Sequence, residues 1–267
     1  MNYNMRIINS LLFRISKVLT RKYSLSQKGD FIASLNHFVA LNESAENKVL
    51  LFQRYYNIGM RSFPLVSLEE RLRFYGWFSL IEKISSVEGE IVEAGVGYGN
   101  TLITLATANT HFKINKKIYA FDSFQGFPIP HENDLGSRVE TLKKVSGWSD
   151  ASILTIQNMI KTHQVENSVP LDEGAIIYKK GFFENTMPAE LPENISLLHI
   201  DCDLYEGVKH VLESTYSHLT QNAIVIIDEY NDSNWPGAKI ATEEFLKGKS
   251  ISIQTFPSLN RFGFIKK

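Results

Sequence analysis

Glu90-Ile91-Val92-Glu93-Ala94-Gly95-Val96-Gly97-Tyr98-Gly99-Asn100 is the stretch on which the reading of this chain turns. Glu90–Ala94 is a short apolar run that reads as a buried strand. The chain then passes three glycines at alternate positions and enters a helical pattern near Thr101. Glycine allows φ > 0 and close approach of a ligand to the backbone. A helix start directly behind such a turn presents N–H groups to an anion. The spacing is G-x-G-x-G followed by Asn100, which differs from the G-x-G-x-x-G of dinucleotide-binding domains. Alone, this stretch fits a cofactor loop or a structural tight turn.

Working outward, short apolar runs alternate with helical patterns. The expected strands are Glu90–Ala94, Lys117–Phe121, Ala175–Tyr178, Ser196–Ile200, Ala223–Ile227, Ser252–Phe256 and Arg261–Ile265. Helical spacing appears at Thr101–Thr110, Asp150–His163, Gly207–Leu219 and Gly237–Lys247. This alternation predicts an α/β fold with a mostly parallel, doubly wound sheet. Pro257–Asn260 is too short for a crossover helix, so the last two strands are expected to form an antiparallel hairpin. Upstream, residues from about Phe31 to Val87 read as helical, with Ser67 as an N-cap and Glu69 and Glu70 in the first turn. Ser123–Ser149 has little periodicity and contains Pro128, Pro130, Gly136 and Gly147. A loop of that length is read either as a lid over a ligand or as a surface excursion.

Carboxylates cluster at the predicted strand ends. Lys117-Lys-Ile-Tyr-Ala-Phe-Asp122 ends in an acid able to accept hydrogen bonds from both ribose hydroxyls of a nucleoside, or else to cap a turn with Ser123. Leu197-Leu-His-Ile-Asp201-Cys-Asp203 and Ile224-Val-Ile-Ile-Asp228-Glu229 each deliver two acids. Ligand crevices of open α/β sheets lie outside the carboxyl ends of the strands, so four acids gather at one edge. Their mutual repulsion and desolvation cost call for a hard divalent cation, and oxygen ligands suit Mg²⁺. The alternative is that they sit in solvent and cap the following helices. His199 lies within a strand and reads as a core residue. The seven histidines show no ligand spacing, and no Gly-x-Ser-x-Gly elbow is present. Cys202, the only cysteine, has no evident His/Asn partner set and is not proposed as a nucleophile.

Composition narrows the function class. The chain has 267 residues, 43% hydrophobic and 21% charged, with a net charge of -1, so broad attraction to nucleic acid is not expected. A single cysteine suits a reducing, cytoplasmic location. No apolar run approaches the roughly 20 residues that span a bilayer. Met1–Gly29 carries Arg6, Arg14, Lys17, Arg21, Lys22 and Lys28 with no acid, and Ile7, Ile8, Leu11, Leu12, Ile15, Val18 and Leu19 recur at helical spacing. This basic amphipathic helix is read as a docking or homo-oligomer element, or as a contact with a membrane surface or partner.

These motifs together resemble the macrocin O-methyltransferase (TylF/MycF-like) family from about Val66 to Lys267. The resemblance rests on Ser67-Leu-Glu-Glu-Arg71, Glu93-Ala-Gly-Val-Gly97, Phe121-Asp-Ser-Phe-Gln-Gly-Phe-Pro128, Gly181-Phe-Phe-Glu-Asn-Thr-Met-Pro188, His199-Ile-Asp-Cys-Asp-Leu-Tyr205, and Asp228-Glu-Tyr230 with Trp235-Pro-Gly237. It implies a Rossmann-like class I methyltransferase fold over residues 67–267, with a seven-stranded sheet; residues 1–66, which the resemblance does not cover, read as an N-terminal helical extension for oligomerisation or as a lid. It implies S-adenosylmethionine (AdoMet) and Mg²⁺ as cofactors, and a hydroxyl of a sugar, glycosylated natural product or polysaccharide precursor as acceptor. Glu93, Gly95, Val96, Gly97, Tyr98, Gly99, Asn100 and Thr101 would then hold the methionine and ribose end of AdoMet. Asp122 and Ser123 would sit at the ribose, and Gly181 and Phe182 at the adenine. Asp201, Asp228 and Glu229 would ligate the metal, and Asp203 would act as general base. The family usually carries Asp where this chain has Glu229. Competing expectations are a catechol-like hydroxyl as acceptor, an NAD-dependent oxidoreductase, and a non-catalytic interaction module.

Overall fold

The computed structural model describes residues 68–135, 151–167, 171–256, 259 and 261–266. The basic helix expected near the N-terminus, the Ser67 cap and residues 136–149 of the long loop lie outside them. The chain divides into two compact units, Met1–Ser79 with Pro257–Asn260, and Leu80–Phe256 with Arg261–Lys267. The second unit carries the sheet.

Seven strands form that sheet: β1 (Glu90–Ala94), β2 (Ile118–Asp122), β3 (Ile176–Lys180), β4 (Ile195–Ile200), β5 (Leu219–Ile227), β6 (Gln254–Phe256) and β7 (Arg261–Ile265). Their order is β3-β2-β1-β4-β5-β7-β6. The first five pair in parallel, and β7 runs antiparallel to both β5 and β6, as the short Pro257–Asn260 connection requires. The helices are α1 (Leu68–Lys83), α2 (Asn100–His111), α3 (Ile153–Asn167), α4 (Phe183–Glu190), α5 (Tyr205–Thr215) and α6 (Pro236–Leu246). This is the class I methyltransferase arrangement, mostly parallel with a terminal antiparallel hairpin.

The core explains the strand composition. All six residues of β4 are buried, as are Ile91, Val92 and Ala94 of β1 and Ala223–Ile227 of β5. A central parallel strand covered on both faces is apolar throughout instead of alternating. Each fully buried Ile, Leu or Val among them contributes about 1.5–3 kcal/mol, while Ser196 and His199 are the polar exceptions in β4. Helix α5 buries Tyr205, Val208, Val211, Leu212 and Thr215 along one stripe.

The differences from expectation are local. Helix α4 is unanticipated, because it has only eight residues and contains Pro188. Strand β5 starts at Leu219, since Thr220–Asn222 stay in the strand while leaving the interior. Strand β6 begins at Gln254, because only Gln254–Phe256 lie opposite Arg261–Gly263.

The strand order reverses between β1 and β4, the switch point at which ligands bind beyond the carboxyl ends in open α/β sheets.

Candidate active site

At that edge the ladder runs one residue past the strands. Gly95 N–H donates to Phe121 O at 2.9 Å, Asp201 N–H to Ala94 O at 2.8 Å, Asp228 N–H to Ile200 O at 2.9 Å and Gly181 N–H to Asp122 O at 2.9 Å. The residues that leave the sheet are therefore held in register, and Gly95, Gly181 and Asp201 among them line a cavity of about 650 Å³, a size that takes a drug-sized ligand. Gly95 has φ +88°, and a Cβ on it would fall 1.9 Å from the carbonyl oxygen of Asp201. The two chain segments touch backbone to backbone, which only glycine permits.

The turn is held by a carboxylate. Asp122 Oδ2 accepts from Val96 N–H at 2.8 Å and Gly97 N–H at 3.1 Å, and Oδ1 accepts from Phe124 N–H at 2.7 Å. A carboxylate offers about four lone-pair sites, so Asp122 keeps room for about one further donor, not for two ribose hydroxyls. Asn100 and Thr101, which open α2, line the cavity. An anionic group is favoured there by the helix start.

The acids of β4 and β5 meet as the strand-end spacing predicts. Asp201 and Asp203 line the cavity. Asp203 has φ +60°, a left-handed conformation that a non-glycine residue holds only at a cost. Glu229 is buried at 7% exposure, and its Oε2 has no hydrogen-bond partner among the described residues. Burial pushes its carboxyl well above the usual range, and the charges of Asp201, Asp203 and Asp228 act in the same direction. An orphaned buried carboxylate oxygen beside three other acids fits a divalent cation, which would relieve all these penalties together.

His199, Asp201 and Asp228 also offer atoms within 4.8 Å of one another. His199 is fully buried, with Nδ1 3.4 Å from Glu93 Oε1 and Nε2 3.9 Å from Asp228 Oδ1. Burial would lower its pKa, but Asp228 and Glu93, with the charge of Asp201 behind them, raise it to about 10. Asp201 and Asp228 are the carboxylates of this three-residue group; Glu229, with its unpartnered oxygen, is not among the three that meet within 4.8 Å. A hard cation such as Mg²⁺ favours the oxygen donors over the imidazole. Asp228 is further engaged by Arg261, whose Nε donates to Oδ1 and whose Nη2 donates to Oδ2, the second at 2.8 Å.

The described part of the long loop is anchored over the cavity. Ser123, Gly126, Phe127, Pro128 and Ile129 line it, and Phe127 packs on buried Leu204 and Trp235. Asp134, 1% exposed, accepts from Tyr205 N–H and His131 N–H, each at 2.8 Å. Asp134→Ala leaves both donors unpaired. It is expected to cost roughly 2–4 kcal/mol, a melting-point drop of roughly 4–16 °C by thermal denaturation.

Of the residues expected at the cofactor, Gly95, Val96, Gly97, Tyr98, Asn100, Thr101, Asp122, Ser123, Gly181 and Phe182 line the cavity; Glu93 and Gly99 do not. Glu93 is 1% exposed and turned to His199, and Gly99 is the buried N-cap of α2. Asp201 and Asp203 line the cavity too, whereas Asp228 and Glu229 do not. The lining residues Phe183, Glu184, Glu206, Gly207 and His210 carried no expectation, although each lies in a helix that follows a predicted strand end. Cys202 is buried, and burial together with Asp203 and Asp201 pushes its thiol well above the ordinary range, which suits no nucleophile. No helix among the described residues is long and apolar enough to cross a membrane.

The sequence and the fold have counterparts in known proteins. Residues 71–257 match the family model described as macrocin-O-methyltransferase (TylF). Demethyldecarbamoylnovobiocin O-methyltransferase of Streptomyces niveus is 27% identical over 163 residues, 60% of this chain and 59% of that protein. Mycinamicin III 3''-O-methyltransferase of Micromonospora griseorubida is 28% identical over 170 residues, 62% of this chain and 63% of that protein. The chain thus aligns with under two thirds of either relative. Among solved structures, the calicheamicin methyltransferase CalS11 superposes with a TM-score of 0.63 at 20% identity, covering 91% of this chain and 94% of the other. The O-methyltransferase NovP gives 0.62 at 22% identity, over 74% and 80%. These superpositions establish the fold, and the match over residues 71–257 establishes the kinship: the chain belongs to the macrocin-O-methyltransferase (TylF) family.

Proposed function

We propose that the chain transfers the methyl group of AdoMet to a hydroxyl of a sugar or glycosylated small molecule, with Mg²⁺ held by Asp201, Asp228 and Glu229. The observation that carries this reading is the meeting, at one sheet edge, of a backbone-lined cavity with an acid cluster containing an orphaned buried carboxylate oxygen. Family membership supports the reaction class, and the rhamnosyl group in the name of another relative, 8-demethyl-8-(2,3-dimethoxy-alpha-L-rhamnosyl)-tetracenomycin-C 4'-O-methyltransferase of Streptomyces olivaceus, supports the acceptor class.

AdoMet bound in the cavity would supply an electrophilic methyl group, and Mg²⁺ would supply Lewis acidity toward the acceptor hydroxyl. The remaining work falls to the chain's own side chains. The start of α2 and the turn Gly95–Gly99 would receive the carboxylate of the methionine moiety. Asp122 would take one ribose hydroxyl with its remaining lone pair. Asp203, which lines the cavity two residues beyond Asp201, would accept the proton of the acceptor hydroxyl. Phe127, Pro128 and Ile129 would keep water from the cavity mouth. Residues 1–66 would serve oligomer formation or a membrane or partner contact through their basic stretch.

The test is production of S-adenosylhomocysteine from AdoMet with sugar nucleotides or glycosides in the presence of Mg²⁺. Wild type is expected to turn over and to stop in EDTA. Asp201→Ala is expected to be inactive while still binding AdoMet by calorimetry. Full activity of Asp201→Ala in EDTA would defeat the metal assignment.

A further inference from the structure

We propose that Arg261 is a resident counter-cation of the acid cluster, in addition to His199, and competes with a divalent ion for Asp228; this rests on the metal assignment above. The placement follows from topology. Strand β7 runs antiparallel to β5, with Ile227 opposite Phe262, so the first residue of β7 lies beside the residue that follows β5. Those residues are Arg261 and Asp228. The guanidinium fork spans both carboxylate oxygens, Nε to Oδ1 and Nη2 to Oδ2. A bidentate fork of this kind is the strongest pairing an arginine makes with a carboxylate.

Both partners are shielded from solvent, with side-chain exposures of 16% and 12%. Shielding keeps the interaction strong, and it also keeps the guanidinium close to any ion that Asp228 ligates. A divalent cation on Asp228 would meet a like charge across one carboxylate, although each Asp228 oxygen keeps a lone pair beside the one it gives to the fork. Cation binding and the intact fork therefore oppose each other, and the opposition is reciprocal. Without an ion, Arg261 offsets Asp228 and leaves Glu229 Oε2 as the orphan. With an ion, part of the binding free energy goes into loosening the fork. Arg261 in this way lowers the cation affinity that the four acids would otherwise have, while keeping the cation-free chain folded.

The experiment is Mn²⁺ titration of the full chain, read by loss of the free-ion electron paramagnetic resonance signal, with no turnover required. Arg261→Gln removes the charge and the fork but keeps an amide donor. It is expected to bind Mn²⁺ roughly 5- to 150-fold more tightly than wild type, the usual range of coupling between two sites. Its cation-free melting temperature is expected to fall, and saturating Mn²⁺ to raise it by more than in wild type. Arg261→Lys keeps the charge and gives up the fork, so a smaller tightening is expected, and it serves if the glutamine variant does not fold. A merely structural arginine would weaken the site when removed, so unchanged or weaker Mn²⁺ binding in the folded variants overturns the competition. Asp201→Asn separates the two layers. If wild type binds and Asp201→Asn does not, while the Arg261 variants match wild type, only the competition fails. If wild type and Asp201→Asn bind equally, the metal assignment fails with it.

Discussion

Gly95→Ala is expected to cost roughly 2–6 kcal/mol of stability, combining a strained left-handed backbone with a packing clash, and to remove measurable AdoMet binding. The added Cβ would stand 1.9 Å from Asp201 O and 2.6 Å from Asp201 C. Neither atom belongs to a side chain that can swing away. Asp201 is tied to Ala94 by its own N–H at 2.8 Å, and Gly95 is tied to Phe121 at 2.9 Å. Relief therefore requires parting β1 from β4 at their carboxyl ends, and that displaces both the Gly95–Gly99 turn and Asp201. A misplacement of about 1 Å at reacting groups costs on the order of 100-fold in rate. Gly248→Ala is the control: φ there is +81°, yet nothing lies within 4 Å of the new Cβ. It carries the strain of handedness alone, about 1–2 kcal/mol, and leaves the cavity untouched. Urea denaturation and calorimetric AdoMet titration of both variants read the difference. A Gly95→Ala protein no less stable than Gly248→Ala, and binding AdoMet, would remove the close approach from the account.

The two segments that meet at Gly95 differ in how far the sequence announces them. The G-x-G-x-G turn after an apolar run, and acids after two later runs, are local patterns with a local cause, so the glycine turn at the cavity and the gathering of acids at the sheet edge were both legible. The alternation of strands and helices was legible for the same reason. Contacts set by topology were not. Arg261 reads as an ordinary cation opening a short strand, and its partner Asp228 lies 33 residues away. Asp134 sits in an aperiodic stretch, and only the fold brings Tyr205 N–H, 71 residues on, to its carboxylate. His199 was placed in the core correctly, but burial of a histidine says nothing of the two acids that charge it. Glu93 shows the same limit from the other side: it follows the strand pattern into the motif, but its side chain goes to His199 and its neighbours line the cavity. Helix α4 was hidden by Pro188, which lies inside it where a helix is normally broken.

Asp203→Asn is expected to lower kcat for methyl transfer by roughly 10²–10⁴-fold, the usual contribution of a positioned general base, with AdoMet affinity within a few-fold of wild type. The choice of asparagine is dictated by the backbone. Asp203 holds φ +60°, a left-handed conformation that asparagine adopts more readily than most residues. Asp203→Ala would add a conformational penalty to the lost base and confuse the two effects. Asparagine keeps shape and a carbonyl oxygen, but it cannot accept a proton at neutral pH. Removing the Asp203 charge also relieves the repulsion on Glu229, which the carboxylates of Asp201, Asp203 and Asp228 together push toward its protonated form. Cation binding therefore need not rise or fall with activity, and Mn²⁺ affinity measured alongside turnover tells a lost base from a lost ion. If Asp203→Asn binds AdoMet and Mn²⁺ as wild type does and still turns over at the wild-type rate, the proton leaves by another route. In that case Asp203 only shapes the turn between β4 and α5. If turnover falls while both affinities hold, the left-handed residue that lines the cavity next to Asp201 is the one that takes the proton.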